Sequence, residues 1–287
     1  MGDDALQDRD SHSDRQEAYV HGYGSAAHQM MERRIAPTSA GFLFPYLRPG
    51  MRLLDCGCGP GSVTIGLAEV VAPGEVVGID TSQVQIDRAR ALAHERGLSN
   101  VRFEVGDVYQ LGFPDASFDI VFTQALLMHL GDRLAALREM ERVLKPGGIA
   151  GLSDNDHGVM CWEPQAPLLK DAHALWVRVV QHHGGDPYYA RHQRRLLLDA
   201  GFVRTEGHIT AGSGGAFGTL EDTRLLAAVL REQFREPSFV EVVVNQGWAD
   251  AAILETMIEE LHAWGERPDA FVATPAIATV GWKEEAT

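Results

Sequence analysis

Residues Leu53–Ser62 read LLDCGCGPGS: an apolar pair, an acid, two cysteines one residue apart, and glycines at 57, 59 and 61. Either the cysteines or the glycines carry the chemistry of this stretch, and counting decides between them. A structural zinc site takes four Cys or His ligands at paired spacings, and the three cysteines of the chain are Cys56, Cys58 and Cys161. No second C-x-x-C or H-x-x-x-H completes a tetrahedron, and a redox pair is normally C-x-x-C rather than C-x-C. The cysteines are then small, buryable side chains in a crowded turn, and no metal is expected of them.

The glycines fit their surroundings better. Residues 51–55, MRLLD, form a short apolar run suited to a buried parallel strand, and 62–72, SVTIGLAEVVA, carry a helical apolar pattern. A glycine loop between a strand and a helix lets backbone N–H groups at the helix start approach a ligand closely. Gly57, Gly59 and Gly61 provide the unusual backbone angles, and the missing Cβ, that such an approach needs. The next strand, 75–80, ends in Asp80, about 20 residues beyond the loop, where an acid in doubly wound folds binds ribose hydroxyls. A dinucleotide fingerprint is G-x-G-x-x-G, and here Ser62 stands where the last glycine belongs. The Gly-Lys-Ser/Thr ending of a phosphate-binding Walker loop is absent.

The segment Asp55 to Gly61 resembles the D/E-x-G-x-G-x-G loop of the class I S-adenosylmethionine-dependent methyltransferases, small-molecule type, and further landmarks follow in order. VRFEV is followed by Gly106-Asp107-Val108, FPDASFDIVFTQALLMHL looks like the fourth strand and its turn, Leu144–Gly148 resembles an L-K-P-G-G turn, and LLLDAGF at 196–202 looks like the helix before the sixth strand. The resemblance spans roughly residues 51–202. It implies an α/β fold, a doubly wound, seven-stranded, mostly parallel Rossmann-like sheet with helical cap insertions, and S-adenosyl-L-methionine as cofactor, released as S-adenosyl-L-homocysteine. It also implies cofactor contacts at Asp55, Gly57, Gly59, Gly61, Asp80 and Thr81, at Asp107 and Val108 around the adenine, and at Gln124 near the amino acid end. Tyr19 and Tyr23 are candidates to reach the methionine carboxylate, as are Arg33 and Arg34; two tyrosines four apart also share one helix face for ordinary packing, and exposed arginines are commonly solvated.

Strands are expected near 51–55, 75–80, 101–105, 118–123, 148–153, 203–210 and 272–282, the last one antiparallel. Residues 1–16 read as a disordered acidic tail, 17–49 as an N-terminal helical cap broken at Pro37 and Pro45, and 50–154 as the cofactor-binding core. The rest, 155–287, completes the core and carries two insertions, about 155–189 and about 211–270, the second with helices at 219–235 and 249–264. These additions meet at the carboxyl ends of the strands, where open α/β sheets bind ligands, so an enclosed pocket for a small acceptor is expected. The aromatics Trp162, Trp176, Tyr188, Tyr189, Phe217, Phe234, Phe239, Trp248 and Trp264 populate the insertions, either as pocket lining or as their own core.

At 287 residues, with 45% hydrophobic content and no long apolar run, the chain reads as one large soluble α/β unit without a membrane span. A formal charge of −15 argues against a nucleic-acid partner, which needs a Lys/Arg footprint. Residues 1–16 lack the apolar centre of a secretion signal, and the few cysteines fit a reducing, cytoplasmic location. The oligomeric state, a homodimer included, is left open.

Methyl transfer is an in-line displacement, and a base is required only where the acceptor must lose a proton. His129, in LLMHL, is the first catalytic candidate and His157, in SDNDHG, the second; packing is the alternative for both. Asp154-Asn155 resembles half of the magnesium site of catechol-type O-methyltransferases, but Thr123-Gln124 stands where its other carboxylate belongs. Magnesium needs a nearly octahedral set of oxygens, so no metal is expected, and turn hydrogen bonds are the reading for Asp154 and Asp156. The implied reaction is transfer to an O or N atom of a small, secondary-metabolite-like molecule. The alternatives are carbon methylation of a quinone- or sterol-like acceptor, and a cyclase or regulator on the same fold.

Overall fold

The computed structural model describes residues 24–210 and 216–286; the expected acidic tail, Tyr19 and Tyr23 lie outside them. The strands are β1 (Leu53–Cys56), β2 (Val76–Asp80), β3 (Val101–Val105), β4 (Phe118–Gln124), β5 (Leu144–Asn155), β6 (Cys161–Glu163), β7 (Arg204–Thr210), β8 (Ala216–Phe217), β9 (Phe271–Ala273) and β10 (Ala276–Trp282). The helices are α1 (Ser25–Glu32), α2 (Ala36–Ser39), α3 (Ser62–Val71), α4 (Gln83–Glu95), α5 (Arg133–Val143), α6 (Pro167–His182), α7 (Gln193–Asp199), α8 (Leu220–Gln233), α9 (Pro237–Asn245) and α10 (Ala251–Gly265).

The seven-stranded sheet is ordered β3-β2-β1-β4-β5-β10-β7. The pairs among β1 to β5 are parallel, and β10 runs antiparallel to both β5 and β7. The chain leaves β1 toward β2 on one side and returns from β3 to β4 on the other, so the crevice at the carboxyl end of β1 is a topological switch point. All four β1 residues are buried, which is why the strand reads as a continuous apolar run. Leu53 joins the cluster of Leu43, Val63, Leu67 and Phe122, while Leu54 and Cys56 join Leu137 and Met140 of α5 on the opposite face.

Two strand expectations need correction. The run expected at 272–282 is two strands: β9 belongs to a separate three-stranded sheet, β6-β9-β8, and β10 to the main one. The break falls at Thr274-Pro275, where Pro275 has no N–H for a ladder and its carbonyl accepts the Asp156 N–H at 3.1 Å. The strand expected from 148 begins at Leu144, because Leu144 still pairs with Phe118 before the register shifts to Ile120↔Ile149; Gly147, at φ +73°, absorbs the irregularity.

The N-terminal segment divides its work. Ala36, Ala40, Leu43 and Leu47 pack into the sheet-facing cluster around Leu53 and Ile120, so residues 36–47 back the sheet instead of folding over the cofactor side. Among the described residues of this segment, α1 lies on the cofactor side, with Met31 lining the cleft. It is pinned by the Ser62 hydroxyl donating to the Met31 carbonyl at 2.9 Å and by a Gln85–His28 side-chain hydrogen bond of 3.0 Å. In the insertions, α8 starts at Thr219, whose hydroxyl accepts the Asp222 N–H at 3.2 Å, and α10 at Asp250, which accepts from Ile253 N at 2.9 Å. An additional helix, α9, buries Phe239 and Val243. Among the described residues, no helix is long and apolar enough to cross a membrane.

Candidate functional site

After β1 the chain turns sharply, with the Gly57 and Cys58 N–H groups both donating to the Ile79 carbonyl at 2.8 and 2.9 Å. Gly57, Gly59 and Gly61 all have positive φ, +74°, +52° and +82°. A Cβ on Gly61 would lie 2.9 Å from both Ala89 and Phe103, so this glycine lets α3 start tight against α4 and β3. At Gly59 the space is open, the nearest side-chain atom being Met31 Sδ at 3.9 Å, and the backbone faces the cleft beside it. Cys56 and Cys58 are buried free thiols. Burial pushes both of them up from the ordinary thiol range, which suits packing and not nucleophilic or metal chemistry.

Two acids stand behind and beside the loop. Asp55 is fully buried and accepts the Thr64 hydroxyl at 2.6 Å; burial raises its carboxyl to about 7, against the Thr64 hydrogen bond that lowers it. Asp80, at the end of β2, accepts the Gly59 N–H at 3.0 Å and the Ser82 N–H at 2.9 Å. Burial raises this carboxyl too, opposed by those two backbone hydrogen bonds.

The resulting cleft has a volume of about 810 Å³, and Asp55, Gly57, Gly59, Asp80, Thr81, Asp107, Val108 and Gln124 all line it. Gly61 is not part of the lining and acts through packing. Asp107 caps its own turn by accepting the Tyr109 N–H at 2.9 Å. Gln124 is buried, and its Nε2 finds no hydrogen-bond partner among the described residues. An unmatched donor in this position is an open valence toward a ligand. The cleft, its glycine turn, the carboxylate at its rim and the orphaned amide together fit an adenosyl-sulfonium cofactor.

A second void of about 130 Å³ adjoins the first, and Met31, Arg34, Ala125 and His129 line both. Its other walls are mainly apolar: Met30, Met128, Met160, Trp162, Leu169, Trp176, Phe217, Leu230 and Phe234, with Asn155, His157 and His173 among them. His129 closes a short 3-10 turn, Leu127–His129, directly after β4, and is buried at the junction. His157 lines the second void only, with its ring 4.5 Å from that of Trp176 and 5.9 Å from that of His173.

Residues 47–197 match the family model described as a methyltransferase domain. The chain belongs to the class I S-adenosylmethionine-dependent methyltransferases. It is 35% identical over 204 residues to an uncharacterized methyltransferase of Schizosaccharomyces pombe, covering 68% of this chain and 72% of that one. It is 32% identical over 286 residues to the protein of Aspergillus luteorubrus named probable methyltransferase ltbC, covering 92% and 97% of the two. The crystal structure of the [4+2]-cyclase SpnF shares the fold, with a TM-score of 0.54 at 24% identity over 89% of this chain and 85% of that one.

The structure of this methyltransferase separates residues that the sequence left together. Trp162, Trp176, Phe217 and Phe234 reach the second void, whereas Tyr189 and Phe239 are fully buried in the core. Trp264 packs edge-on against Trp162 at 5.0 Å and donates its indole N–H to the Glu163 carbonyl. Arg33 is paired with Glu221 and Asp222 on α8, away from the cleft; Arg34 faces the junction. Asp154 does not sit in a turn. It lies inside β5, fully buried, and accepts the Tyr189 hydroxyl, which Gln193 also contacts at 3.3 Å. Burial raises Asp154 to about 7, with the Tyr189 hydrogen bond and the Arg34 charge lowering it. Asp156 does cap a turn, through Gly158 N at 3.0 Å, and pairs with Arg191. Among the described residues, no group of three or more metal-ligating side chains converges. Three features of the site were not anticipated: His173, the Gln85–His28 pair and Glu232, whose carboxylate accepts from Ser25 and Ala26 at the start of α1. Of these, His173 had a signal, since it sits one helical turn before Trp176 on α6.

Proposed function

We propose that this methyltransferase moves the methyl group of S-adenosyl-L-methionine to an oxygen or nitrogen atom of a small molecule seated in the second void, releasing S-adenosyl-L-homocysteine. The observation that carries the reading is the shared wall: Met31, Arg34, Ala125 and His129 line both spaces, so the two adjoin across these four side chains. Alignment and exclusion of water are most of what methyl transfer asks of a protein.

In this reading Asp80 accepts the ribose hydroxyls, Asp107 and Val108 border the adenine, and Thr81 borders the rim. Gly57, Gly59 and Gln124 hold the amino acid end, with Arg34 opposite its carboxylate; Tyr19 and Tyr23 keep that role as a proposal for residues outside those described. Asp55, through Thr64, fixes the loop and the first turn of α3. The cofactor, when bound, supplies an electrophilic methyl on a sulfonium. His129 takes the proton from the acceptor atom, since it is the titratable imidazole at the junction. His157 lies farther in and binds the acceptor.

The test is mass spectrometry of purified protein with S-adenosylmethionine and an extract of the source cells. Protein-dependent S-adenosylhomocysteine together with a metabolite heavier by one methylene supports the proposal, and fragmentation places the new methyl on oxygen, nitrogen or carbon. A methyl on carbon overturns the heteroatom assignment. A metabolite altered at constant mass, with the cofactor not consumed, replaces transfer by the cyclase reading.

A further inference from the structure

The void beyond His129 has a chemistry of its own. A cavity of its size, about 130 Å³, is on the scale that holds one aromatic ring, and Trp162, Trp176 and Phe217 offer faces and edges for such a ring. Asn155, His157 and His173, with Arg34, His129 and Thr274, interrupt the apolar wall. Asn155 Oδ1 and His173 Nε2 are buried and find no hydrogen-bond partner among the described residues, and both side chains line this void and not the cofactor cleft. Each sits on a rigid element, Asn155 at the end of β5 paired with Ala276 and His173 in the middle of α6. Unmatched buried polar atoms are costly and uncommon in native structures, so two of them in one small cavity ask for a ligand group.

The lining also narrows the charge of that ligand. Among the described residues, no carboxylate lines the void, and Arg34 is its one Lys or Arg, placed at the junction. A cationic amine would be desolvated with nothing to pair it, and an anionic group would be drawn to the junction, not the far end. Burial holds His173 below the ordinary imidazole range, hence uncharged near neutrality. Asn155 Oδ1 only accepts, while a neutral imidazole nitrogen donates or accepts according to tautomer. A hydroxyl, which does both, matches the pair.

We infer that the acceptor is an uncharged single-ring compound, or a ring-sized arm of a larger one, that carries two hydroxyl-type groups: one presented at His129 for methylation, the other bound deep in the cavity by Asn155 and His173, which set specificity. The inference rests on the reading of this void as the acceptor site.

The experiment separates binding from turnover. Full-length protein saturated with S-adenosylhomocysteine is titrated calorimetrically with resorcinol and hydroquinone, the latter anaerobically, and with their isosteres 3-methylphenol and 4-methylphenol, in which a methyl replaces the second hydroxyl. At least one diol should bind about tenfold tighter than its methyl isostere, because a site built to hydrogen-bond rejects the analogue that leaves it unpaired. Asn155→Leu and His173→Phe should each erode that preference, while His173→Gln, which keeps a polar atom there, should retain most of it. Equal binding of diols and isosteres, no binding of any of the four, or a preference that survives both apolar variants overturns the inference. The same samples with S-adenosylmethionine are then assayed for methylated product. A diol preference without any methylation leaves the specificity pair standing and removes the transfer reading instead.

Discussion

Asp80 Oδ2 accepts the Gly59 N–H at 3.0 Å while its other oxygen accepts from Ser82 N at 2.9 Å, so one carboxylate ties the end of β2 to the glycine turn. Each oxygen keeps lone-pair capacity for a ligand hydroxyl. Asp80→Ala is therefore expected to weaken S-adenosylmethionine binding by on the order of 1–3 kcal/mol, the cost of leaving buried ligand hydroxyls without their acceptor, with Asp80→Asn in between. Isothermal titration calorimetry checks this, and unchanged affinity would count against the ribose assignment.

His129 lines both voids, the position that the proposed general base requires. His129→Ala should lower kcat about 100-fold or more, the usual share of a general base, with S-adenosylmethionine affinity within about twofold of wild type. A variant that keeps its rate makes His129 a packing residue.

What the sequence made legible is what lies close together along the chain. The glycine turn and Asp80 are separated by a single helix and strand, and the L-K-P-G-G stretch is itself the start of β5, so local pattern was enough for the main sheet and for most of the cleft lining. The acceptor cavity was not legible in this way. Its wall draws on α1, the turn after β4, the end of β5 and the segment after it, β6, α6, β8, α8 and α10, and nothing in their spacing says that Trp162 faces the cavity while Trp264 packs behind it. The small sheet escaped for a different reason: β6, β8 and β9 have three, two and three residues, too short to show an alternating pattern.

Glu232 of α8 reaches across to α1, accepting from Ser25 Oγ at 2.9 Å and from Ala26 N at 3.0 Å. It supplies from another helix the cap that Gly24 cannot. Losing a cap costs about 1 kcal/mol, and because Met31 in the last turn of α1 and Arg34 just beyond it line the cleft, the loss should reach the cofactor. Glu232→Ala should speed amide exchange across 25–32 and weaken S-adenosylmethionine binding several-fold, with little change in Tm. Exchange confined to wild-type rates would detach α1 from this contact.

Asp55 gives a prediction about stability and pH. Its carboxyl titrates near 3.8 when unfolded and is raised to about 7 by burial in the folded chain. Between those values the folded state keeps a proton that the unfolded state has released, so this group's contribution to stability falls as pH rises through the window and levels off above about 7. Asp55→Asn keeps an acceptor for the Thr64 hydroxyl and has no proton to lose. Relative to wild type, the variant should thus gain on the order of 1–3 kcal/mol between pH 5 and pH 8. Urea unfolding at both pH values measures it directly; parallel curves for the two proteins would mean that Asp55 is already ionised in the folded state at pH 5.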